Sequence, residues 1–154
     1  MPKITWEITM TDKLKQQLTE AIANKDMATL IANIPYATFI GIEGLAIGED
    51  FIFKLPKNDD NLGNPTLPAI HGGVLGGFME TSGALYVMMS SEMLTVPKVV
   101  DFSIDYLSPG HHIDSFARCT VVRRGRKIAN LSVVAWQTSE DEPIATARAH
   151  FLLK

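Results

Sequence analysis

A histidine, four glycines and a glutamate share one short run, Ala69-Ile70-His71-Gly72-Gly73-Val74-Leu75-Gly76-Gly77-Phe78-Met79-Glu80. The run reads as the start of a buried helix reaching from about Gly72 to Glu92. A core helix ordinarily avoids both features that this one carries. Each interior glycine costs about 1 kcal/mol of helix stability relative to alanine. A buried carboxylate is costlier still unless it is protonated or hydrogen-bonded. The residue types suggest a compensating chemistry. Amides at a helix start lack intrahelical acceptors and lie at the positive end of the macrodipole. Free N–H groups at the Gly72-Gly73 corner can therefore polarise a carbonyl and hold the oxyanion it becomes. Glu80 can serve as general base or nucleophile. His71 either takes part in that chemistry or caps the helix.

On a helical wheel at 100° per residue, Leu75, Phe78, Met79, Ser82, Leu85, Tyr86 and Met89 form one broad apolar face. Gly73, Gly76, Gly77, Glu80, Gly83, Ala84 and Val87 form the other, which has little bulk apart from Glu80. A small face admits either another backbone or a thin ligand. Gly72 and Glu80 are eight residues apart, roughly 12 Å along a helix axis. One carbonyl cannot touch both groups of a single chain. Two such helices packed antiparallel across a two-fold axis bring Glu80 of one chain near Gly72 of the other, so the expectation is a homodimer with two composite sites.

The elements that must position this helix are legible on either side of it. Thr11 to about Asn33 reads as helical, with Leu14, Leu18 and Ile22 on one face and Thr11 or Asp12 as cap. Asn24-Lys25-Asp26 interrupts it, Asp26 can cap a second helical stretch, and Pro35 is expected to end it. Gly44 to Leu55 reads as extended, and Pro56 to Pro68 as a loop. After the glycine-rich helix the chain reads as strand. Val99–Leu107 alternates, with Val100, Phe102, Ile104 and Tyr106 on one face and Asp101, Ser103 and Asp105 on a solvent or interface face. Strands over Ile113–Val122, Lys127–Gln137 and Ile144–Leu153 follow, with a tight hairpin at Arg123–Arg126. An antiparallel sheet has one face to cover, and the apolar helix is the evident cover. The expected architecture is α+β, a sheet wrapped round a central helix. Residues 1–154 are expected to be a single domain with an N-terminal helical segment over 1–34.

The 154 residues carry a formal net charge of −3, so bulk electrostatics favour no nucleic-acid partner. One cysteine, Cys119, excludes an intramolecular disulfide framework and a multi-cysteine zinc site. No apolar run approaches the roughly 20 residues that span a bilayer. The start Met1-Pro2-Lys3-Ile4-Thr5-Trp6 lacks a signal core, so a cytoplasmic residence is expected. Neither a metal site nor a Gly-x-Ser-x-Gly elbow is suggested by any spacing. His111 and His112 are expected in an exposed turn, His150 in a structural role, and Cys119 in the core. Arg123, Arg124, Arg126 and Lys127 either bind phosphates or form a solvated turn.

His71-Gly72-Gly73 with an acid nine residues after the histidine, followed by Val99-Val100-Asp101-Phe102-Ser103-Ile104-Asp105-Tyr106-Leu107-Ser108-Pro109-Gly110 and the Arg-Arg-Gly-Arg hairpin, resembles the hotdog-fold thioesterases of the phenylacetate-degradation (PaaI-like) group. The resemblance covers roughly residues 35 to 153. It implies hydrolysis of an acyl-coenzyme A thioester to free acid and coenzyme A, with water as second substrate and no cofactor. It matches Gly72 to the glycine whose N–H polarises the carbonyl and Glu80 to the helix acid. It implies sites at a dimer interface, dimers that pair into tetramers, and a basic hairpin at the nucleotide end of the site. Gly73, Gly76 and Gly77 then line the substrate path. The chain departs from the pattern at Pro65, where many members carry asparagine or glutamine; Asn64, one position away, is the candidate replacement. A hydratase or dehydratase on acyl thioesters, using His71 with the acid, and a non-catalytic acyl-CoA-binding dimer are the alternatives.

Overall fold

The computed structural model describes residues 10–153, so the first nine residues of the expected N-terminal helical segment lie outside the described residues. Three helices open the chain: α1 (Asp12–Ala23), α2 (Met27–Ala32) and α3 (Pro35–Ile40). Thr11 caps α1 by accepting the Leu14 N–H at 3.3 Å. Asp26 caps α2 by accepting the Thr29 N–H at 3.1 Å. Pro35 begins α3 instead of ending a helix. A proline fits the first helical position, where no intrahelical acceptor awaits its missing N–H.

The segment expected as one strand is a hairpin of β1 (Glu43–Ile47) and β2 (Asp50–Leu55). Gly48 turns the chain between them with φ of +61°, a conformation open to glycine at no steric cost. The expected loop contains a single 3-10 turn at Asp59–Asn61 and β3 (Leu62–Asn64), which pairs with β4 (Ala69–Ile70) as a small separate sheet. Then come α4 (Gly72–Ser91), β5 (Lys98–Tyr106), β6 (Ser115–Arg124), β7 (Ile128–Trp136) and β8 (Ala145–Leu152). The main sheet has six strands in the order β1-β2-β6-β7-β8-β5, all adjacent pairs antiparallel. Its edges are β1 and β5. A register shift between Val99 and Asp101 turns Val99 toward the core and leaves Val100 exposed, so the expected alternation holds only from Phe102 onward.

The core follows a division of bulk. Six of the sheet's buried positions are alanine, Ala117, Ala129, Ala135, Ala145, Ala147 and Ala149, beside larger residues such as Phe53, Leu131 and Phe151. Leu75, Phe78, Met79, Leu85 and Met88 of α4 fill the space above them. Small residues below large ones let a whole helix settle onto a sheet at normal packing density. Buried residues of α1, α2 and α3, among them Leu18, Leu30 and Ile40, belong to the same core cluster.

The glycine face of α4 splits in two. In its second half it is covered, with Gly83, Ala84 and Val87 buried. A Cβ at Gly83 would lie 3.0 Å from the Phe151 ring. In its first half Gly72 and Gly73 are exposed, and Gly76, Gly77 and Glu80 are half-buried. At Gly76 the nearest atom to an added Cβ is the Tyr106 hydroxyl, at 3.5 Å, ordinary contact. Gly76→Ala should therefore gain up to about 1 kcal/mol from helix propensity. Gly83→Ala should lose about 1–2 kcal/mol net, because overpacking outweighs the same gain. Denaturant unfolding of both variants checks the opposite signs.

Candidate active site

Four backbone donors at the start of α4 need acceptors from outside the helical pattern. The cap residue His71 gives its N–H to the Asn61 carbonyl at 2.9 Å. Gly73 gives its N–H to His71 Nδ1 at 2.9 Å. Val74 gives its N–H to the His71 carbonyl at 2.9 Å. Gly72, the first helical residue, is left with no acceptor among the described residues. Gly72 is exposed, and an N–H that neither protein nor helix consumes is free to bind a substrate oxygen.

The accounting depends on residues well outside the helix. Asn61 is buried, and its Nδ2 donates to the Ile40 carbonyl at 3.0 Å, anchoring β3 to the end of α3. Gly63 allows β3 to lie against His71, since a Cβ there would fall 2.8 Å from the His71 Cα. Gly73 likewise makes room for the imidazole, as its Cβ would lie 3.0 Å from Nδ1. Because Nδ1 accepts, the proton of a neutral His71 resides on Nε2. From the far side the Tyr106 hydroxyl at the end of β5 donates to the Gly72 carbonyl at 2.6 Å. The sequence places Tyr106 on the helix-facing side of its strand, but nothing local to it indicates a bond to a residue 34 positions earlier.

A cleft of about 370 Å³ opens beside the free amide, lined by Ile70, Gly72, Leu75, Tyr106, Leu107 and Gly110 among others. Glu80 lies two turns further along the unbroken helix, half-buried on its open face. One turn before it the Tyr36 hydroxyl occupies the space that a side chain at Gly77 would take, 2.2 Å from the ideal Cβ position. Gly77 therefore accommodates α3 rather than standing open. Along one straight helix the Gly72 amide and the Glu80 backbone remain roughly 12 Å apart.

The other expected site residues are dispersed. Asn64 is committed locally: its Oδ1 accepts the Thr66 N–H at 2.9 Å and the Leu67 N–H at 3.2 Å. Arg123, Arg126 and Lys127 line a groove of about 390 Å³ over the β6–β7 hairpin. Arg124 points the other way, as strand alternation requires. Its Nη1 donates to the Ser90 carbonyl at 2.9 Å, at the negative end of α4. The hairpin is thus tied to the opposite end of the helix from Gly72. His112 is half-buried rather than exposed, with Nε2 3.0 Å from an Asp59 oxygen. His150 lies 3.5 Å from Asp101 across the β5–β8 pair. Burial pushes the Cys119 thiol well above its ordinary pKa, so it supplies no thiolate nucleophile. Among the described residues no group of three or more His, Cys, Asp or Glu is placed to hold a metal. No described helix is long and apolar enough to cross a membrane.

The thioesterase superfamily model matches residues 67–144, the stretch from just before the free amide through β5, β6 and β7, and the chain belongs to that superfamily. Its fold is the hotdog fold, and thioester hydrolysis is the chemistry of the class. A protein of Chromobacterium violaceum is 35% identical with a TM-score of 0.75, the match covering 90% of this chain and 97% of that one. A thioesterase of Haemophilus influenzae is 23% identical with a TM-score of 0.69, covering 82% of this chain and 88% of that one. The PaaI protein of the E. coli phenylacetic acid degradation operon shares the fold at 18% identity and a TM-score of 0.66, covering 86% of this chain and 98% of that one. No curated protein matches the chain.

His71→Ala removes the acceptor of the Gly73 N–H and should cost about 1 kcal/mol of unfolding free energy. His71→Asn, whose Oδ1 can take the same proton, should cost clearly less. Chemical denaturation of the three proteins checks the order.

Proposed function

We propose that the protein hydrolyses acyl-coenzyme A thioesters at two composite sites of a homodimer. The observation that carries this reading is the single unpartnered donor at Gly72, opening into a cleft, with an acid two turns along the same helix. The Gly72 N–H of one protomer receives the thioester oxygen and holds the negative charge it gains. Glu80 of the partner subunit delivers the nucleophile, either by deprotonating water or by attacking the carbonyl carbon itself. The carbon–sulfur bond then breaks and the sulfur leaves as the thiol of coenzyme A, with its proton from water. Water also supplies the oxygen of the acid, either directly or by cleaving the acyl–Glu80 anhydride that direct attack forms. His71 is a positioning residue in this scheme, holding the helix corner rather than moving a proton.

The spacing along α4 supports the dimer. One chain cannot bring both groups to one carbonyl, whereas antiparallel helices can. The strand β5 supplies the means, because pairing it with β5 of a second copy removes an open edge from each sheet and sets the two α4 helices side by side in opposite directions. Pairing of dimers into a tetramer accords with the family resemblance. The basic hairpin supports the substrate class. Arg124 ties it to Ser90, ten residues beyond Glu80, which is roughly 15 Å along the axis. The Ser90 of the same protomer lies about 27 Å from Gly72. The hairpin of the partner subunit is thus the nearer to each site, at a separation suited to a carrier whose phosphates lie far from its thioester. Arg123, Arg126 and Lys127 would meet those phosphates. Gly76 keeps the helix face beside it free of bulk, Gly73 seats the His71 ring, and Asn64 shapes the turn bordering the cleft. The reaction belongs in the cytoplasm, with the acyl-CoA pool, and residues 1–154 act as one hotdog domain. No cofactor takes part.

Thiol release over a panel of acyl-CoA thioesters tests the reaction, and absence of release from every member overturns it. Glu80→Gln should lower kcat by at least about 100-fold while retaining binding. Gly72→Pro removes the free N–H at a helical position that welcomes proline, after a His71 whose ψ of 129° already suits one. It too should be inactive yet folded. Mixing the two dead variants should restore about a quarter of wild-type activity, since half the dimers regain one of two sites. Failure to complement overturns the shared site. Arg126→Glu with Lys127→Glu should raise KM for acyl-CoA about tenfold and leave KM for a short thioester without phosphates unchanged.

A further inference from the structure

We infer that Tyr106 is a positioning residue for the oxyanion donor, acting through the Gly72–Gly73 peptide; the inference rests on the function proposed above. Two successive glycines leave the backbone at this corner free to take many conformations. A donor that must meet a developing charge has to be held in place before the reaction. The structure holds the Gly72–Gly73 peptide at both ends. Its carbonyl accepts the Tyr106 hydroxyl at 2.6 Å, and its N–H is taken by His71 Nδ1 at 2.9 Å. The preceding His71–Gly72 peptide, which bears the free N–H, is fixed at its carbonyl by Val74 at 2.9 Å and Leu75 at 3.0 Å. With the planes on both sides of the Gly72 Cα fixed, the direction of the remaining N–H is set.

The missing side chain of Gly73 makes room for one of these holds, since a Cβ there would lie 3.0 Å from His71 Nδ1. A Cβ at Gly72 would approach the Tyr106 ring to 3.4 Å, and one at Gly76 its hydroxyl to 3.5 Å, so the phenol lies directly over the helix start. Tyr106 ends β5, and through it the edge strand of the sheet grips the first turn of α4. Two bonds into the His71 carbonyl also polarise its peptide and make the Gly72 N–H a better donor. The Tyr106 hydroxyl spends its proton on the backbone, which assigns it a role in orientation.

Tyr106→Phe keeps the ring and deletes only the hydroxyl of a residue that is 53% exposed, so the fold should persist. Steady-state thiol release by wild type, Tyr106→Phe and Glu80→Gln tests the inference on any acyl-CoA that the wild type turns over. Tyr106→Phe should lower kcat about tenfold with KM within about twofold, a smaller loss than deleting an oxyanion donor outright. In addition, the carbonyl stretch of a thioester bound to Glu80→Gln should move to higher frequency when Tyr106→Phe is added, as polarisation weakens. An unchanged kcat in Tyr106→Phe beside an inactive Glu80→Gln overturns the positioning role and leaves the thioesterase reading standing. A raised KM with unchanged kcat also overturns it, since the hydroxyl then touches substrate. No release by the wild type overturns both.

Discussion

The seating of α4 on an alanine-lined sheet is the constraint from which the other features follow. Leu75, Phe78, Met79 and Leu85 of the helix are buried in the same core cluster as Ala117, Ala147 and Ala149 of the sheet. That division of bulk fixes the height and direction of the helix. It also decides which glycines serve packing and which remain open. Gly83 is pressed by Phe151 and Gly77 by the Tyr36 hydroxyl, whereas Gly72 lines the cleft beneath Tyr106 and Gly76 lies in ordinary contact with the Tyr106 hydroxyl.

With the helix seated, its first turn becomes a matter of counting donors. Asn61 supplies the acceptor for the His71 N–H, and the cap residue itself serves Gly73 through its ring and Val74 through its carbonyl. The chemistry proposed for the protein uses the one that remains. Such a donor carries no ionisable group, keeps its polarity over the whole pH range and loses little by reorganisation when charge arrives. In the proposed dimer the carboxylate that complements it stands on the partner's copy of the same rigid helix, so their separation is set by how two helices pack and not by a flexible loop.

Much of this was legible in the amino-acid sequence. The span of α4, the capping residues Thr11 and Asp26, the four later strands and the turn chemistry between them follow from period and local preference. Pro35 was misplaced because proline both ends helices and begins them, and only packing of α3 on α4 decides between the two. The break at Gly48 was missed because Leu45, Ile47, Phe51 and Phe53 read as one run. The β3–β4 pairing, the buried Asn61 and the Tyr106–Gly72 bond join residues through tertiary contacts that leave no local period. The four cations of the hairpin looked alike in sequence. Strand alternation separates Arg124, bonded to Ser90, from Arg123, while Arg126 and Lys127 reach the same groove as Arg123 from the turn.

The alanine floor under α4 has a further consequence if the two helices face each other across a dyad. Any side chain enlarged beneath the helix lifts it, and symmetry applies the same lift to its mate. The gap between the rods then changes by the sum of both displacements. Variation in acyl preference among related chains could thus arise from methyl groups buried far from the reacting bond, with every residue around that bond left as it was.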